Sequence, residues 1–287
     1  SRVGNVMSNF TDFISGGGGG TLYTIPITKS TTWTPPYNGT AVIHCIGAGG
    51  SGGSDVSDGN VTGGGAGGYS RKVVTLSTGT NWTMVVGAGG APTTSNEANG
   101  NAGGNTTATD GSSSLVANGG GPGLTNSTAA VAGGSASGGD VNNTGGAGGH
   151  NGTMCGGGAV GVLGTGEAGG VGTGANSGGA VMYKYGGHSD VQSPQFENTN
   201  GELRGGGRGG KFANVWGKQI DINQDGGFLA GGGAAWSNNG TDTTWGGDGG
   251  LGGGGASANC AIAGQPGFFV GGKGGNGLIL VMYTSVG

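Results

Sequence analysis

The sequence has little charge and no long apolar run, and each shortage disfavours a class of protein. Only 8% of the 287 residues are charged and the net charge is −4, which disfavours nucleic-acid binding as the main role. The stretch RGGGRGGK at 204–211 resembles RNA-binding tracts, but it is one basic cluster in an acidic chain. The longest apolar run, LILVMY at 278–283, is too short to cross a bilayer, so we expect no membrane insertion.

Cysteine, proline and helical periodicity are also scarce. The three cysteines are widely spaced and form no CxxC motif, so the sequence indicates neither a disulfide framework nor a zinc site. One of them, Cys45, lies in an apolar run and is expected in a core. No stretch repeats apolar residues with a period of 3.6, so we expect almost no α-helix. The 7 prolines are too few for collagen, which pairs regularly spaced glycine with abundant proline.

Glycine is what the chain has in excess. The 82 glycines are about four times the average usage. Disorder of the whole chain is disfavoured, because the net charge is low and both ends contain strand-like segments. Many tracts read as GGX triplets, such as GGD GGL GGG at 246–254 and GGK GGN at 271–276. The period is three, with a side chain only at the third position.

A period of three predicts packed polyglycine II helices. This conformation has three residues per turn and no internal hydrogen bonds. A GGX repeat therefore leaves two faces bare, so that neighbouring backbones can approach and bond to each other. A single segment loses more conformational entropy than its net hydrogen bonds return. The array is stable only when nearly every backbone group is paired and flanking strands fix the register.

The predicted fold is mainly β and irregular, with small antiparallel sheet elements that frame this array. Strands are expected at about 21–46, 69–90, 112–118 and 277–284, where β-branched and aromatic residues alternate or cluster. The expected organisation is, in chain order, an attachment segment at 1–20, a β-rich base at 21–90, a polyglycine II lattice with inserted loops (181–245) at 91–277, and a closing strand at 278–287.

Several of these segments resemble a known family. WTPPYNGTAVIHCIGAGGSGG, then GGGAGGYSRKVVTLSTGTNWTMVVGAGG, then glycine repeats and GGKGGNGLILVMY are similar to the glycine-rich domain of bacteriophage tail-fibre and adhesin proteins. The resemblance implies a polyglycine II sandwich at a fibre tip, whose loops contact a host outer-membrane protein or surface glycan. It also implies a non-enzymatic virion protein, made in the bacterial cytoplasm and joined to a fibre shaft or other virion protein. The alternative is a purely structural virion component, such as a head fibre or tail-assembly protein.

Three non-glycine islands at 181–204, 211–231 and 234–245 carry many aromatic residues, which are enriched at the centres of interfaces. An equally open interpretation is that they cap the lattice as a local core. Residues 1–20 are the predicted attachment segment, through Phe10, Phe13 and Ile14. The predicted receptor-binding residues are Tyr183, Tyr185, Phe196, Phe212, Trp216, Phe228, Trp236 and Trp245.

The remaining motifs are weak. G-x-G-x-x-G at 47–52 follows a strand, but the SDVSDG that comes next cannot form the helix that a dinucleotide site needs. Asp221, Asn223 and Asp225 have the spacing of a calcium loop, yet the twelfth position is Gly232 instead of glutamate. This is a candidate cation site or a solvated turn. No catalytic signature stands out, so we expect no enzyme and no cofactor.

Overall fold

The computed structural model describes residues 21–56, 60–150, 156–161, 164–169, 225–226, 231–232, 235–237, 244–260 and 268–284. Within these residues there are fourteen β-strands and no α-helix. Accordingly, the described part of the chain has no helix with the length and apolar character needed to span a membrane.

The strands are short and lie in chain order as follows. They are β1 (Leu22–Ile27), β2 (Thr31–Trp33), β3 (Gly39–Ile46), β4 (Tyr69–Leu76), β5 (Trp82–Val85), β6 (Thr106–Thr109), β7 (Ser114–Ala117), β8 (Ala136–Ser137), β9 (Val141–Asn143), β10 (Ala235–Ser237), β11 (Thr244–Trp245), β12 (Ala258–Cys260), β13 (Phe269–Val270) and β14 (Leu278–Thr284).

Ten of these strands form two antiparallel sheets that pack face to face. One sheet has the order β1-β14-β3-β4-β9 and the other has the order β2-β5-β6-β7-β8. β14 therefore lies between β1 and β3, with Val281 opposite both Ile25 and Ile43. Successive side chains in a strand point to opposite faces, so one alternate set from each sheet meets in a shared core.

That core is small and contains the largest fully buried side chain of the described chain, Trp82. β14 contributes Ile279 and Val281 to it, and β3 contributes Ile43 and Cys45, all with no exposed area. Cys45 thus occupies the core position expected from its apolar run. Burial raises the pKa of its thiol to about 12.

Glycine-rich segments extend from the sheet strands and bond to each other through their backbones. Residues 47–55, which continue β3, show a repeat of three: every third N–H group donates to the same neighbouring segment. One set donates to carbonyls of 62–68 and the second to carbonyls of 98–104. The third donates to carbonyls of 271–277, apart from Asp55, whose N–H donates to the carbonyl of Ala258. The N···O distances are 2.8 to 3.1 Å. We call the array of such segments the glycine lattice.

The glycines of the lattice are required by the closeness of neighbouring backbones. A Cβ atom on Gly49 would lie 1.9 Å from the carbonyl oxygen of Gly253. A Cβ atom on Gly67 would lie 2.0 Å from the carbonyl oxygen of Gly47. Real Cβ atoms are not found at such distances, so a side chain fits only on the third face, as at Ala66.

Lattice segments run in both directions. Residues 62–68 lie antiparallel to 47–55, whereas 118–124 run parallel to 47–55. At about 3.1 Å of rise per residue, the segment 47–55 extends about 25 Å from its first residue to its last, away from the sheets. The lattice therefore has a sandwich end, next to the two sheets, and an outer end. The outer end comprises the loops 91–97 and 125–130 and the strands β10–β13.

The predicted fold class is confirmed, since the described chain is mainly β with two antiparallel sheets and no helix. Two features differ from the prediction in detail. The sequence did not indicate β6, β8 or β9, and the outer end contains two parallel strand pairs, β10 with β12 and β11 with β13. These pairs have two or three residues each and form where lattice segments that run in the same direction adopt a pleated conformation.

Candidate functional site

The outer end is held in place by backbone and side-chain hydrogen bonds of its loops. In loop 91–97, Thr93 Oγ1 accepts the N–H of Gly271 at 2.7 Å, and Asn96 Oδ1 accepts the N–H of Phe269 at 2.8 Å. Ser54 Oγ donates to the carbonyl of Ser95 at 2.8 Å. The loop is thus tied to two lattice segments that are distant in sequence, and its conformation is fixed by them.

A small second core lies beneath this surface. Phe269 and Ala258 have no exposed area and pack together with the partly buried Val56. The residue before Phe269 has the opposite environment, since Phe268 is 41% exposed. The phenyl ring of Phe269 in β13 therefore anchors the outer end, and the ring of Phe268, which directly precedes β13, is presented to solvent.

Trp245 is the second aromatic side chain presented here, with 44% of its area exposed. Its backbone is fixed because Trp245 pairs with Val270 across β11 and β13, and the next residue, Gly246, donates its N–H to the carbonyl of Val270 at 2.8 Å. Phe268 directly precedes β13, so Trp245 and Phe268 belong to neighbouring chain segments of the same strand pair.

The structure describes two of the eight aromatic residues predicted to bind a receptor. Trp245 is exposed at the outer end, and Trp236 lies in β10 opposite Asn259 of β12. Both strands belong to the outer end, so the third aromatic island, 234–245, contributes to this surface. The other six lie outside the described residues: Tyr183, Tyr185, Phe196, Phe212, Trp216 and Phe228.

Of the candidate cation ligands, Asp221 and Asn223 lie outside the described residues. Asp225 lies beside the lattice, where its Oδ1 accepts the N–H of Asp248 at 2.9 Å. Asp248 Oδ1 in turn accepts the N–H of Lys273 at 2.7 Å. Desolvation of this carboxyl, and secondarily the Asp225 carboxylate, raise the pKa of Asp248. The described residues contain no cluster of three acidic, histidine or cysteine side chains that could hold a metal.

A second group of aromatic residues, two of them exposed, lies at the sandwich end and was not indicated by the sequence. Tyr23 stacks on Tyr283 with ring centroids 5.3 Å apart, and Trp33 lies 6.1 Å from Tyr283 in a tilted arrangement. Tyr23 is 40% and Tyr37 is 44% exposed. We call these four residues the tyrosine cluster. The predicted attachment residues Phe10, Phe13 and Ile14 lie outside the described residues.

The other polar features of the described chain are structural. Each glycine of the G-x-G-x-x-G motif, Gly47, Gly49 and Gly52, donates its N–H to a lattice neighbour, so none is directed at a phosphate. His44 Nδ1 lies 2.7 Å from the Tyr69 hydroxyl, and its Nε2 is buried without a hydrogen-bond partner. Burial, and secondarily the Arg71 guanidinium, lower the pKa of His44 to about 4. A histidine in this state is neutral at neutral pH.

Comparison with known proteins gives one result. No curated protein matches the sequence. The family model of the glycine-rich domain matches residues 25–284, which include every described strand except the first three residues of β1. The matched region contains both sheets and the whole lattice, and the chain therefore belongs to the glycine-rich domain family.

Proposed function

We propose that this chain is a bacteriophage virion protein that forms the receptor-binding tip of a tail fibre. Its receptor is a host outer-membrane protein or a surface glycan. The resemblance of its segments to tail-fibre adhesins suggests this role, and the outer end supplies the surface for it. The observation that carries the proposal is the exposure of Trp245 in β11 and of Phe268 directly before β13, beside backbone that the lattice fixes.

A fixed surface of this kind suits recognition for an energetic reason. Binding normally costs free energy for each side chain and loop that becomes ordered at the interface. The hydrogen bonds of Thr93 and Asn96, and the burial of Phe269, order the outer end before any ligand arrives. The free energy gained from contacts of Trp245 and Phe268 is therefore offset less by ordering costs than it would be if the same side chains lay on a flexible loop.

The position of the first described residues gives the proposed orientation. Thr21 precedes β1, whose Tyr23 belongs to the tyrosine cluster at the sandwich end. Residues 1–20, the proposed attachment segment, thus join the fold at the end opposite to Trp245. In this orientation the sandwich end faces the fibre shaft or another virion protein, and the outer end faces the host.

Exchange of the aromatic islands tests the proposal. Residues 181–245 are replaced by those of a relative that infects a different host, and adsorption of the resulting phage to both hosts is measured. We expect adsorption to follow the exchanged residues, and Trp245→Ala in the original chain to weaken it. Unchanged host preference, together with normal particles, would leave the structural virion component as the better explanation.

A further inference from the structure

The outer end has a distinctive side-chain chemistry: exposed aromatic rings among uncharged polar groups. At the same end as Trp245 and Phe268, the described loops expose hydroxyl and amide side chains: Thr94 and Ser95 in loop 91–97, which bonds to Phe269 and Gly271, and Asn126 and Thr128 in loop 125–130. Glu97 is the one exposed charged residue in loops 91–97 and 125–130. Asp55, which is also near this end, has no exposed area.

Positive charge is missing from the described outer end. The lysine and arginine residues that the structure describes lie elsewhere: Lys29 follows β1, Arg71 and Lys72 lie in β4, and Lys273 lies within a lattice segment. Phosphate and carboxylate groups are recognised mainly through arginine and lysine. A phosphorylated or acidic ligand would therefore find no ionic partner among the described residues of this surface.

The described surface also differs from a typical protein interface. Protein partners bury about 800 Å² on each side, and the fully buried centre of such an interface is more apolar than its rim. Here two exposed rings share the outer end with exposed hydroxyl and amide groups. From strand spacing and rise, the Cα atoms of Trp245 and Phe268 are on the order of 8 Å apart. Two rings so close together suit a small ligand with apolar faces and polar edges.

We infer that the outer end binds an uncharged glycan, an inference that rests on the proposed function and names its receptor class. The Trp245 and Phe268 rings contact the C–H faces of sugar rings. The hydroxyl and amide groups of loops 91–97 and 125–130 exchange hydrogen bonds with sugar hydroxyls. Because no charge pair is involved, ionic strength has little influence on the affinity.

The first test separates this inference from the proposed function. The fluorescently labelled full chain is incubated with a panel of bacterial isolates, and adhering strains are treated with either proteinase K or sodium metaperiodate, which cleaves vicinal diols of sugars. We expect periodate to abolish adhesion and proteinase to leave it intact. Adhesion lost to proteinase alone would keep the proposed function and overturn the glycan inference. Adhesion to no isolate would contradict both.

Two further measurements use the same adhering strain. Trp245→Ala and Phe268→Ala should each weaken adhesion about tenfold or more, as expected for aromatic residues at the centre of a binding site. Tyr23→Ala and Tyr37→Ala are the matched controls, because they remove equally exposed rings from the sandwich end, and should leave adhesion unchanged. Equal losses in all four variants would overturn the assignment to the outer end.

Salt provides the test of the uncharged character. Adhesion measured between about 50 and about 500 mM NaCl should be constant, because a Debye length that shortens several-fold over this range affects only charged contacts. A steep loss of adhesion with salt would show that an anionic or cationic receptor is bound, and would overturn the inference even if periodate abolishes adhesion.

Discussion

Substitution of Gly49 by alanine distinguishes two explanations for the glycines. If glycine served chain flexibility, Gly49→Ala would stabilise the protein by about 0.4–1 kcal/mol, because the unfolded chain would lose conformational freedom. If glycine serves the close approach of backbones, the added methyl group has no room. The Cβ atom would lie 1.9 Å from the carbonyl oxygen of Gly253 and 2.4 Å from its carbonyl carbon. The two explanations predict opposite signs.

The expected loss follows from the hydrogen bonds around Gly49. A carbon and an oxygen in contact are about 3.3 Å apart, so the two segments must separate by about 1.4 Å. Gly49 donates to the carbonyl of Gly275, and Gly275 donates to the carbonyl of Gly253, each at 2.8 Å. Disrupting both of these buried hydrogen bonds costs about 2–4 kcal/mol, a large part of the stability of an ordinary domain.

Urea unfolding monitored by tryptophan fluorescence measures this loss in Gly49→Ala. In scanning calorimetry, the thermal midpoint of Gly49→Ala should be lowered by roughly 5–15 °C. Gly121→Ala is the matched control. It is also a lattice glycine, but the atom nearest to its added Cβ is the side-chain Cγ1 of Val131, at 2.8 Å, and the nearest carbonyl oxygen, that of Ala132, is 3.2 Å away. We expect this variant to lose about 1 kcal/mol, near the lower end of the usual cost of overpacking. A Gly49→Ala protein as stable as the parent would refute the close-packing argument.

Two further predictions concern buried titratable groups. The pKa of His44 is lowered from 6.5 to about 4, so between these values the unfolded chain binds a proton that the folded chain does not. The free energy of unfolding should therefore fall as the pH is lowered through this window. In His44→Gln, urea denaturation should show a fall that is smaller by about 1–3 kcal/mol. The raised pKa of Cys45 makes its thiol inert. In a Cys155→Ser, Cys260→Ser background, a thiol reagent should label Cys45 only after unfolding, and rapid labelling of the folded protein would contradict its burial.

The sheets could be predicted from the sequence where side chains are large and alternate. β3, β4 and β14 contain long runs of β-branched and aliphatic residues, and all three lie within the predicted ranges. β6, with the sequence TTAT, was missed because its contribution to the core is the methyl group of Ala108. Small residues give no hydrophobic signal, although at this position a small residue is what the core accommodates.

The lattice was predictable as a class of structure but not as an arrangement. The GGX period indicates three bonding directions for each segment, and residues 47–55 have them. It does not indicate the partners, because glycine segments have nearly identical surfaces. The pairing of 47–55 with 271–277 spans most of the chain, and it follows from the positions of β3 and β14 next to each other in one sheet.

The outer end was only partly predictable for a related reason. Trp245 stands out as an aromatic residue within glycine repeats, and it is exposed as a binding residue must be. Phe268 and Phe269 are chemically identical neighbours, and only the packing of β13 determines which of them is buried. The tyrosine cluster joins Tyr23 with Tyr283, residues from opposite ends of the described chain, so no local pattern could indicate it.

The three-residue bonding pattern also constrains how such a protein can change. An insertion of one residue within 47–55 would rotate each following N–H group by a third of a turn, toward the wrong neighbour. It would also place side chains on faces that now contact neighbouring backbones, as Gly49 contacts the carbonyl of Gly253. Three inserted residues would restore every direction. The loops at the outer end do not follow this three-residue pattern, since loop 91–97 is fixed largely by side-chain hydrogen bonds such as those of Thr93 and Asn96. A glycine lattice therefore separates a part whose length varies in steps of three from outer loops whose exposed side chains can vary, a division that suits the proposed role in receptor binding.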